Sequence, residues 1–342
     1  IPLSFFSGIG ASSKMGVLIK GSNYLELLSN VSTFVFDKTG TLTKGVFEVV
    51  KIYPNNISEE ELLKKAAIAE EYSSHPIAVS IKSAYSEIKR EDGIKTNLSD
   101  RVSDLKEVAG QGISIKVDDE LVLVGNDKLM ISNNIEFEKC LDFGTIVYVA
   151  KGEVFLGAIV INDRIKEDAK AVLTALKNIG IEKNIMLTGD TKKVADIVAS
   201  ELALDYAYSE LLPQDKVEKV EEILNEKSVV AFVGDGLNDA PVLARADIGI
   251  AMGGVGSDAA IEAADVVIMD DNLGNIVRGI KVAKRTMSIA KQNIIFAIGV
   301  KLIFLLLAAI GFGTMWEAVF ADVGVTVLCI INAMRNLRTE NI

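Results

Sequence analysis

Short apolar segments recur along the chain, most of them in its second half, and stretches with helical spacing separate them. Parallel strands need long crossover connections, so this alternation is typical of a parallel sheet wrapped by helices on both faces. The sequence therefore predicts a doubly wound α/β fold. The predicted strands lie at 33–36, 155–161, 185–187, 229–233, 248–251 and 266–269.

Polar groups directly follow four of these predicted strands. In an open α/β sheet, ligands bind at the carboxyl ends of the strands, so the groups are expected to meet at one edge. Each group alone is also explained as a turn or a helix cap, because Asp, Asn, Thr and Gly are favoured there. The four together indicate a single site. They are Asp37-Lys38-Thr39-Gly40-Thr41, Asn162-Asp163, Thr188-Gly189-Asp190 and Gly234-Asp235-Gly236-Leu237-Asn238-Asp239.

Carboxylates, a lysine and small hydroxyl groups at one sheet edge suit phosphoryl chemistry. Carboxylate oxygens hold Mg²⁺, while backbone amides and Thr hydroxyls hold a phosphoryl group whose charge the metal offsets. An aspartate in such a setting can be the nucleophile and form an aspartyl phosphate. Asp37 is the best candidate because it ends a strand and begins a Gly/Thr-rich loop. Asp235 is then predicted to be a magnesium ligand.

These motifs resemble those of the P-type ATPases, with DKTGTLT at 37–43, TGD at 188–190 and GDGLNDAP at 234–241 in the expected order. PQDK at 213–216 supplies the matching lysine, Lys216. The resemblance implies an ATP hydrolase coupled to ion translocation, with a haloacid-dehalogenase-like phosphorylation domain in which ATP phosphorylates Asp37. It further implies Asp37, Asp235 and the Thr39 carbonyl around Mg²⁺, and Thr188, Lys216 and Asn238 around the phosphate.

Thr39 separates this reading from that of a soluble phosphatase with the same fold. In such a phosphatase, a second aspartate two residues after the nucleophile protonates the leaving group and activates water. Without that acid/base, the acyl phosphate is expected to live longer, as a pump requires if it changes shape before hydrolysis. A membrane-anchored phosphohydrolase and a non-transporting nucleotide-binding remnant remain the alternatives.

Between residues 46 and 151 the pattern changes, which indicates an α+β domain inserted into the first. Helices are predicted at 59–69 and 76–88, and strands at 113–117 and 121–124. His75 before Pro76 is, taken alone, a surface or capping histidine. Ser74-His75-Pro76 resembles, however, the His-Pro motif of heavy-metal-transporting P-type ATPases, in which the histidine helps to place the adenine of ATP. The resemblance implies a nucleotide pocket that contains Glu70, His75, Pro76, Gly110, Gly112 and Asn126.

Two apolar runs, 294–313 and 318–333, contain one charge each, Lys301 and Asp322. Their lengths approach the roughly 20 residues that cross a bilayer, and cationic residues flank both, so a transmembrane helix hairpin with cytoplasmic ends is predicted. The expected outer turn lies at 311–317. A buried hairpin in a soluble core is the alternative. The apolar start, residues 1–10, is interpreted as half of a membrane helix.

An ionisable residue inside a membrane segment is functional by default. Lys301 and Asp322 could form only a structural ion pair. Their sequence contexts resemble, however, the zinc/cadmium/lead branch of the heavy-metal pumps, which implies Asp322 as a ligand of the divalent ion and Lys301 as its countercharge. The residues that carry this resemblance do not include the family's Cys-Pro-Cys helix, its earlier membrane helices or its actuator domain. These parts are therefore expected as partners from the same pump.

Composition excludes several other functions. A net charge of −11 and the lack of a basic arm argue against nucleic acid binding. One histidine and two separated cysteines, Cys140 and Cys329, argue against a soluble tetrahedral zinc site and a structural disulfide.

The predicted segments are a helix and linker at 1–27, a phosphorylation domain at 28–45 and 152–275, a nucleotide-binding domain at 46–151, and a linker helix with two membrane helices at 276–342. The predicted location is the cell membrane, with the catalytic domains in the cytoplasm.

Overall fold

The computed structural model describes residues 1–73, 75–92, 102–108, 110–117, 120–142, 144–226, 228–235, 239–253, 258–311 and 315–338. The chain divides into two compact units. The first consists of Ile1–Leu42 and Glu167–Ile342, and the second of Thr43–Lys166. The assignment of segments to phosphorylation, nucleotide-binding and membrane domains stays a prediction.

The helices and strands of both units alternate along the chain. In chain order they are α1 (Pro2–Lys14), β1 (Val17–Ile19), α2 (Ser22–Asn30), β2 (Thr33–Asp37), β3 (Thr43–Pro54), α3 (Glu59–Ala69), α4 (Pro76–Asp92), β4 (Val102–Val108), β5 (Gly112–Val117), β6 (Glu120–Gly125), α5 (Asp127–Ser132), β7 (Thr145–Lys151), β8 (Val154–Ile165), α6 (Ala169–Asn178), β9 (Lys183–Leu187), α7 (Lys192–Leu202), β10 (Tyr206–Tyr208), α8 (Pro213–Leu224), β11 (Val230–Gly234), α9 (Ala240–Arg245), β12 (Ile248–Met252), α10 (Asp258–Ala263), β13 (Val266–Ile268), α11 (Gly274–Ala309), α12 (Met315–Val319) and α13 (Val325–Ala333).

The first unit contains a seven-stranded sheet in the order β1-β13-β12-β11-β2-β9-β10. Every neighbouring pair is parallel except β1 with β13. All residues of β2, β11 and β12 are buried, as expected for central strands that helices cover on both faces. The predicted doubly wound sheet is confirmed, and its two short edge strands, β1 and β10, were not predicted.

One predicted strand belongs to the other sheet, so its assignment was wrong. The segment 155–161 lies within β8, which pairs antiparallel with β3 and β7 in the second unit. Asn162 and Asp163 continue this strand opposite Glu48 and Phe47, and do not follow a strand of the first sheet. An apolar run indicates burial but not its pairing partner, which is why the sequence pattern misplaced it.

The second unit is a six-stranded antiparallel sheet in the order β3-β8-β7-β6-β5-β4. Helices α3 and α4 contribute Leu62, Leu63 and Tyr85 to a core with the strands. A separate cluster packs Met130 of α5 with Tyr148 and neighbouring aromatic rings. The predicted helices at 59–69 and 76–88 are present, and the second extends to Asp92.

Two C-terminal helices are long and apolar enough to cross a membrane, Gly274–Ala309 and Met315–Leu337. Apolar side chains along them are exposed, including Ile295 at 73%, Leu306 at 68% and Trp316 at 81%. A buried hairpin in a soluble core would cover such side chains, so the exposure favours the membrane reading. The outer turn was expected at 311–317, but helix α12 already begins at Met315.

Helix α1 packs closely against α11 near the start of the chain. A Cβ atom added to Gly8 would lie 2.4 Å from the Thr286 Oγ1, so only glycine permits this approach. On the same helix α11, the Lys284 ammonium donates a 2.5 Å hydrogen bond to the Ile179 carbonyl at the end of α6. Helix α11 therefore contacts both α1 and the helices that cover the first sheet.

Candidate active site

Asp37 is the last residue of β2 and lies at the carboxyl edge of the seven-stranded sheet. The neighbouring strands are β9 and β11, and Asp37 is in register with Leu187, directly before Thr188. Phe36 is in register with Val233, so Gly234 and Asp235 follow on the other side. The fold therefore brings three of the four predicted polar groups to one edge. The fourth, Asn162-Asp163, lies in the second unit.

Lys216 on helix α8 connects two buried aspartates at this edge. Its ammonium donates hydrogen bonds of 2.6 Å to Asp37 Oδ1 and 2.9 Å to Asp239 Oδ1. Asp37 is 6% exposed, Lys216 9% and Asp239 2%. The contact places Lys216 beside Asp37, and its predicted role at the phosphoryl group stays a prediction. The bridge to Asp239 was not predicted, because no local pattern connects residue 216 with residue 239.

Burial and neighbouring charges set the acidity of this cluster. Burial raises the pKa of Asp37, the Asp239 carboxylate adds to the rise while Lys216 opposes it, and the result is a pKa of about 6. Burial lowers the pKa of Lys216, but Asp37 and Asp239 outweigh it and the pKa is raised. Near neutral pH, Asp37 is therefore mainly an ionised carboxylate, which nucleophilic attack requires.

The turn after Asp37 brings its backbone close to Asp235. Thr39 is extended, and Gly40 has a positive φ of 71°. A Cβ atom on Gly40 would lie 3.1 Å from Asp235 Oδ2. The negative charge of Asp235 also raises the pKa of Asp37. Two carboxylates that repel each other suit a hard cation that prefers oxygen ligands.

Magnesium therefore fits Asp37, Asp235 and the Thr39 carbonyl by donor chemistry. Within the part of the chain that the structure describes, no group of three or more His, Cys, Asp or Glu side chains forms a metal cluster. The predicted set contains only two carboxylates, so it would not form such a cluster. Asn238, predicted beside the phosphate, lies outside the described residues.

The second predicted loop is tied to the first by an ion pair between Lys38 and Asp190. The Thr188 hydroxyl accepts a 3.1 Å hydrogen bond from the Asp190 amide, across Gly189. Thr188 itself is 2% exposed, and its amide donates to the Tyr208 carbonyl. The buried Thr41 hydroxyl has no hydrogen-bond partner among the described residues, so the loop after Asp37 retains an unused donor.

In the second unit, three of the predicted nucleotide-pocket residues meet at one turn. Asn126 donates a 2.8 Å hydrogen bond to the Gly110 carbonyl, while its own side-chain oxygen accepts from Leu129 and caps α5. A Cβ atom on Gly112 would lie 2.3 Å from the Val124 carbonyl oxygen, so this position requires glycine.

The other predicted pocket residues lie between α3 and α4. Glu70 follows α3 and is 7% exposed, and its carbonyl accepts a 3.0 Å hydrogen bond from the Ser73 amide. His75 is exposed, and its Nδ1 accepts a 3.3 Å hydrogen bond from the Ile77 amide. Pro76 is the first residue of α4. The capping contact expected of a lone histidine is thus present, and it leaves Nε2 outside that bond.

Lys301 on α11 and Asp322 face each other across the two apolar helices. Lys301 Nζ donates a 3.1 Å hydrogen bond to Asp322 Oδ1, and the side chains are 57% and 76% exposed. Asp322 lies in a π-helical turn, Phe320–Gly324, and the Thr326 hydroxyl donates a 2.7 Å bond to its carbonyl. Both charges line a cavity of about 330 Å³. Single π-helical turns are frequent at functional sites.

Residues 31–247 match the haloacid dehalogenase-like hydrolase family. The chain belongs to that family. Over 345 residues it is 53% identical to a cadmium, zinc and cobalt-transporting ATPase of Bacillus subtilis (strain 168), covering 100% of this chain and 48% of that protein. It is 50% identical over 339 residues to a zinc-transporting ATPase of Synechocystis sp., covering 98% of this chain and 46% of the relative. This haloacid dehalogenase-like chain thus spans about half the length of the curated relatives it matches.

Solved structures agree with these sequence relationships. A zinc-transporting PIB-type ATPase in the E2.Pi state matches with a TM-score of 0.87 and 36% identity, covering 98% of this chain and 55% of that one. The catalytic domain of a CPx-ATPase matches with a TM-score of 0.61 and 31% identity, covering 80% of this chain and 98% of that one. The resemblance to heavy-metal-transporting P-type ATPases and the predicted fold class of this haloacid dehalogenase-like protein are confirmed.

Proposed function

We propose that this chain is the catalytic and C-terminal membrane part of a pump that exports zinc, cadmium or lead ions with energy from ATP. One observation carries the proposal: Asp37 is a buried carboxylate at a sheet edge, held by Lys216 and followed two residues later by Thr39. The charge and position of Asp37 suit a nucleophile, and Thr39 cannot act as the acid/base of a phosphatase. The names of the relatives support zinc and cadmium among these ions.

In the proposed reaction, an Asp37 carboxylate oxygen attacks the γ-phosphorus of ATP. The new O–P bond forms as the bond between the γ-phosphorus and the β,γ-bridging oxygen breaks, and ADP leaves. The Lys216 ammonium, 2.6 Å from Asp37 Oδ1, stabilises negative charge beside the transferring group. Asp37, Asp235 and the Thr39 carbonyl would hold Mg²⁺, which supplies further charge neutralisation when bound.

Thr188 and Asn238 are proposed to bind the phosphoryl oxygens, with Gly189 leaving room at the loop. Lys38 and Asp190 hold the two loops together through their ion pair. Asp239 positions Lys216 through its 2.9 Å bond. Because no acid/base lies two residues after Asp37, the acyl phosphate is expected to persist until the protein changes conformation.

ATP is proposed to bind at Glu70, His75, Pro76, Gly110, Gly112 and Asn126. The close approach at Gly112 and the tether from Asn126 to Gly110 support a preformed turn that a nucleotide can reach. His75→Ala is expected to weaken ATP binding with little change in fold, because the side chain is exposed. Unchanged ATP affinity and phosphorylation in that variant would remove His75 from the pocket.

The transported ion is proposed to bind Asp322, with Lys301 as the charge that replaces it when the ion leaves. A carboxylate suits a divalent ion better than Cu(I), which prefers sulfur. Lys301 and Asp322 are both exposed and line one cavity, which supports a site that an ion can enter. We place the pump in the cell membrane, with catalytic parts in the cytoplasm and with a Cys-Pro-Cys helix and actuator domain as partners.

The deciding experiment is a labelled-phosphate assay on the pump that contains this chain. Incubation with γ-labelled ATP and Mg²⁺ is expected to give an acid-stable label that hydroxylamine removes, the signature of an acyl phosphate. Asp37→Asn should abolish the label, whereas the exposed Asp196→Asn should retain it. A label of equal size in Asp37→Asn would disprove the proposal.

The family match leaves a membrane-anchored phosphohydrolase as a second candidate, because its description is that of a hydrolase. Rapid hydrolysis of small phosphate esters without any dependence on zinc or cadmium, and without a trapped acyl phosphate, would favour it.

A further inference from the structure

Two buried asparagines connect three helices in the apolar C-terminal region. Asn293 on α11 is 4% exposed, and Asn336, in the 3₁₀ turn Met334–Leu337 that follows α13, is 1% exposed. Asn293 Nδ2 donates 3.1 Å hydrogen bonds to Ser4 Oγ on α1 and to the Cys329 carbonyl on α13. Asn336 Nδ2 donates to the Ser4 carbonyl at 3.2 Å and to Ser7 Oγ at 3.1 Å. We name Ser4, Asn293, Asn332 and Asn336 the asparagine joint.

The remaining member, Asn332, completes the connection between α11 and α13. Its Nδ2 donates a 2.9 Å hydrogen bond to Asn293 Oδ1. The Asn293 amide therefore uses its oxygen and its nitrogen at once, and contacts both other helices. Where lipid surrounds a helix bundle, side-chain amides that bond across helices fix the packing partner, since an unpaired amide in hydrocarbon is costly.

The asparagine joint lies on the same two helices as the Lys301–Asp322 pair. Asn293 precedes Lys301 by eight residues on α11, and Cys329 follows Asp322 by seven on the opposing helix. The two helices run antiparallel, so a contact between 293 and 329 places 301 beside 322. Asn293, Lys301, Asp322 and Cys329 all line the same cavity.

The register of the helices therefore decides whether the two charges meet. A slip by one helical turn displaces a residue by about 5.4 Å along the axis, which is more than the 3.1 Å contact between Lys301 and Asp322 tolerates. The Lys301–Asp322 pair is exposed, whereas Asn293 and Asn336 of the joint are buried and donate hydrogen bonds to other helices.

We propose that Asn293 is the positioning residue of the ion site: through the asparagine joint it holds α11 against α1 and α13 so that Lys301 and Asp322 face each other. The proposal rests on the proposed function, in which Asp322 binds the transported divalent ion. Asn293 acts on that ion only through the position of these two side chains.

The first test measures the zinc dependence of ATP hydrolysis in the full pump. Asn293→Leu is expected to raise the zinc concentration for half-maximal stimulation about tenfold, as for residues that orient metal ligands. Asn293→Gln, which keeps the amide, should restore part of the affinity. Gln292→Leu is the matched control, because Gln292 is exposed and its contact with Asn332 is a long 3.4 Å.

Two further readouts separate positioning from general damage. Phosphorylation of Asp37 by inorganic phosphate, which needs no transported ion, should be unchanged in Asn293→Leu. In the background of Asp322→Ala, Asn293→Leu should have no additional effect on zinc stimulation, because the residue to be positioned is gone. Equal losses in phosphorylation and zinc response, or fully additive losses with Asp322→Ala, would overturn the proposal.

A second test does not depend on transport. Cys329 is half-buried beside the Asn293 carbonyl, and the rate at which its thiol is alkylated can be followed on its peptide by mass spectrometry. Asn293→Leu should increase that rate about tenfold by loosening the helix contact, whereas Gln292→Leu should not. An unchanged rate would reject the joint. If the wild type lacks zinc-stimulated hydrolysis but the rate still rises, the proposed function fails and the joint stands.

Discussion

The first unit holds two charged clusters that differ in nearly every physical respect. Asp37, Lys216 and Asp239 are each 9% exposed or less, and Lys216 bonds both carboxylates at once. Lys301 and Asp322 are 57% and 76% exposed and share a single 3.1 Å contact. Burial and two hydrogen bonds hold the first cluster, while the second depends on the packing of its helices for its geometry.

This difference corresponds to the different tasks proposed for the two clusters. Charge stabilisation during phosphoryl transfer is most effective where the groups are fixed and water is excluded. An ion site must instead open, lose its ion and refill, so its charges cannot be locked into a buried network. The buried cluster is therefore expected to tolerate no change of charge, and the exposed pair to affect ion dependence only.

The largest expected effect is the loss of Lys216. Lys216→Met leaves Asp37 and Asp239 facing each other without a cation, and should lower the rate of phosphoenzyme formation about a hundredfold or more, in line with the loss of a charge-stabilising donor. Lys219→Met on the same helix removes an ion pair with the exposed Glu222 and should have little effect. Rapid-quench labelling measures both; similar rates in the two variants would contradict the contrast between buried and exposed charges.

The next effect concerns the exposed pair. Asp322→Ala should reduce zinc-stimulated ATP hydrolysis roughly tenfold to a hundredfold, the usual cost of disturbing a metal site. Phosphorylation of Asp37 by inorganic phosphate should continue, because the buried cluster is intact. Wild-type zinc stimulation in Asp322→Ala would refute the ion site, and loss of both activities would show that the two clusters are not separable.

A smaller effect is expected from Thr39. Thr39→Asp places a carboxyl group two residues after the nucleophile and should shorten the lifetime of the phosphoenzyme about tenfold, part of the gain that a general acid/base supplies. Thr39→Asn has a similar size without the acid and serves as the control. A chase with unlabelled ATP measures the lifetime, and equal decay in both variants would argue against the role assigned to Thr39.

The smallest effect concerns stability and pH. The pKa of Asp37 rises from an ordinary value of 3.8 to about 6 on folding. Between these values the folded state binds more protons than the unfolded state, so this group contributes stability below about pH 4 that is lost as the pH rises through about 6. In magnesium-free buffer, Asp37→Asn should therefore gain thermal stability relative to the wild type between pH 4 and pH 7.

Calorimetric midpoints at the two pH values measure this shift, which is expected to be a few degrees. Asp196→Asn, an exposed aspartate on α7, should show no such change. If both substitutions gave the same pH response, burial of Asp37 would not be its cause.

Much of the catalytic edge could be predicted from the sequence. Strand β2 ends at Asp37, and the two loops that begin with Thr188 and Gly234 follow its neighbours, because parallel strands bring their carboxyl ends to one edge. The prediction failed at 155–161, where an equally apolar segment joins the antiparallel sheet of the second unit. Both environments bury such a segment, so apolarity does not distinguish between them.

By itself, the sequence determined the family, the residue proposed as nucleophile and the order of the motifs, because these depend on residue types at short, fixed spacings. Only the tertiary structure decided that β8 belongs to the second sheet, that Lys216 bridges Asp37 and Asp239, and that Asn293 connects α1, α11 and α13. Such contacts join residues tens or hundreds of positions apart. They are chosen by the burial and hydrogen bonding of the whole fold, which no local pattern records.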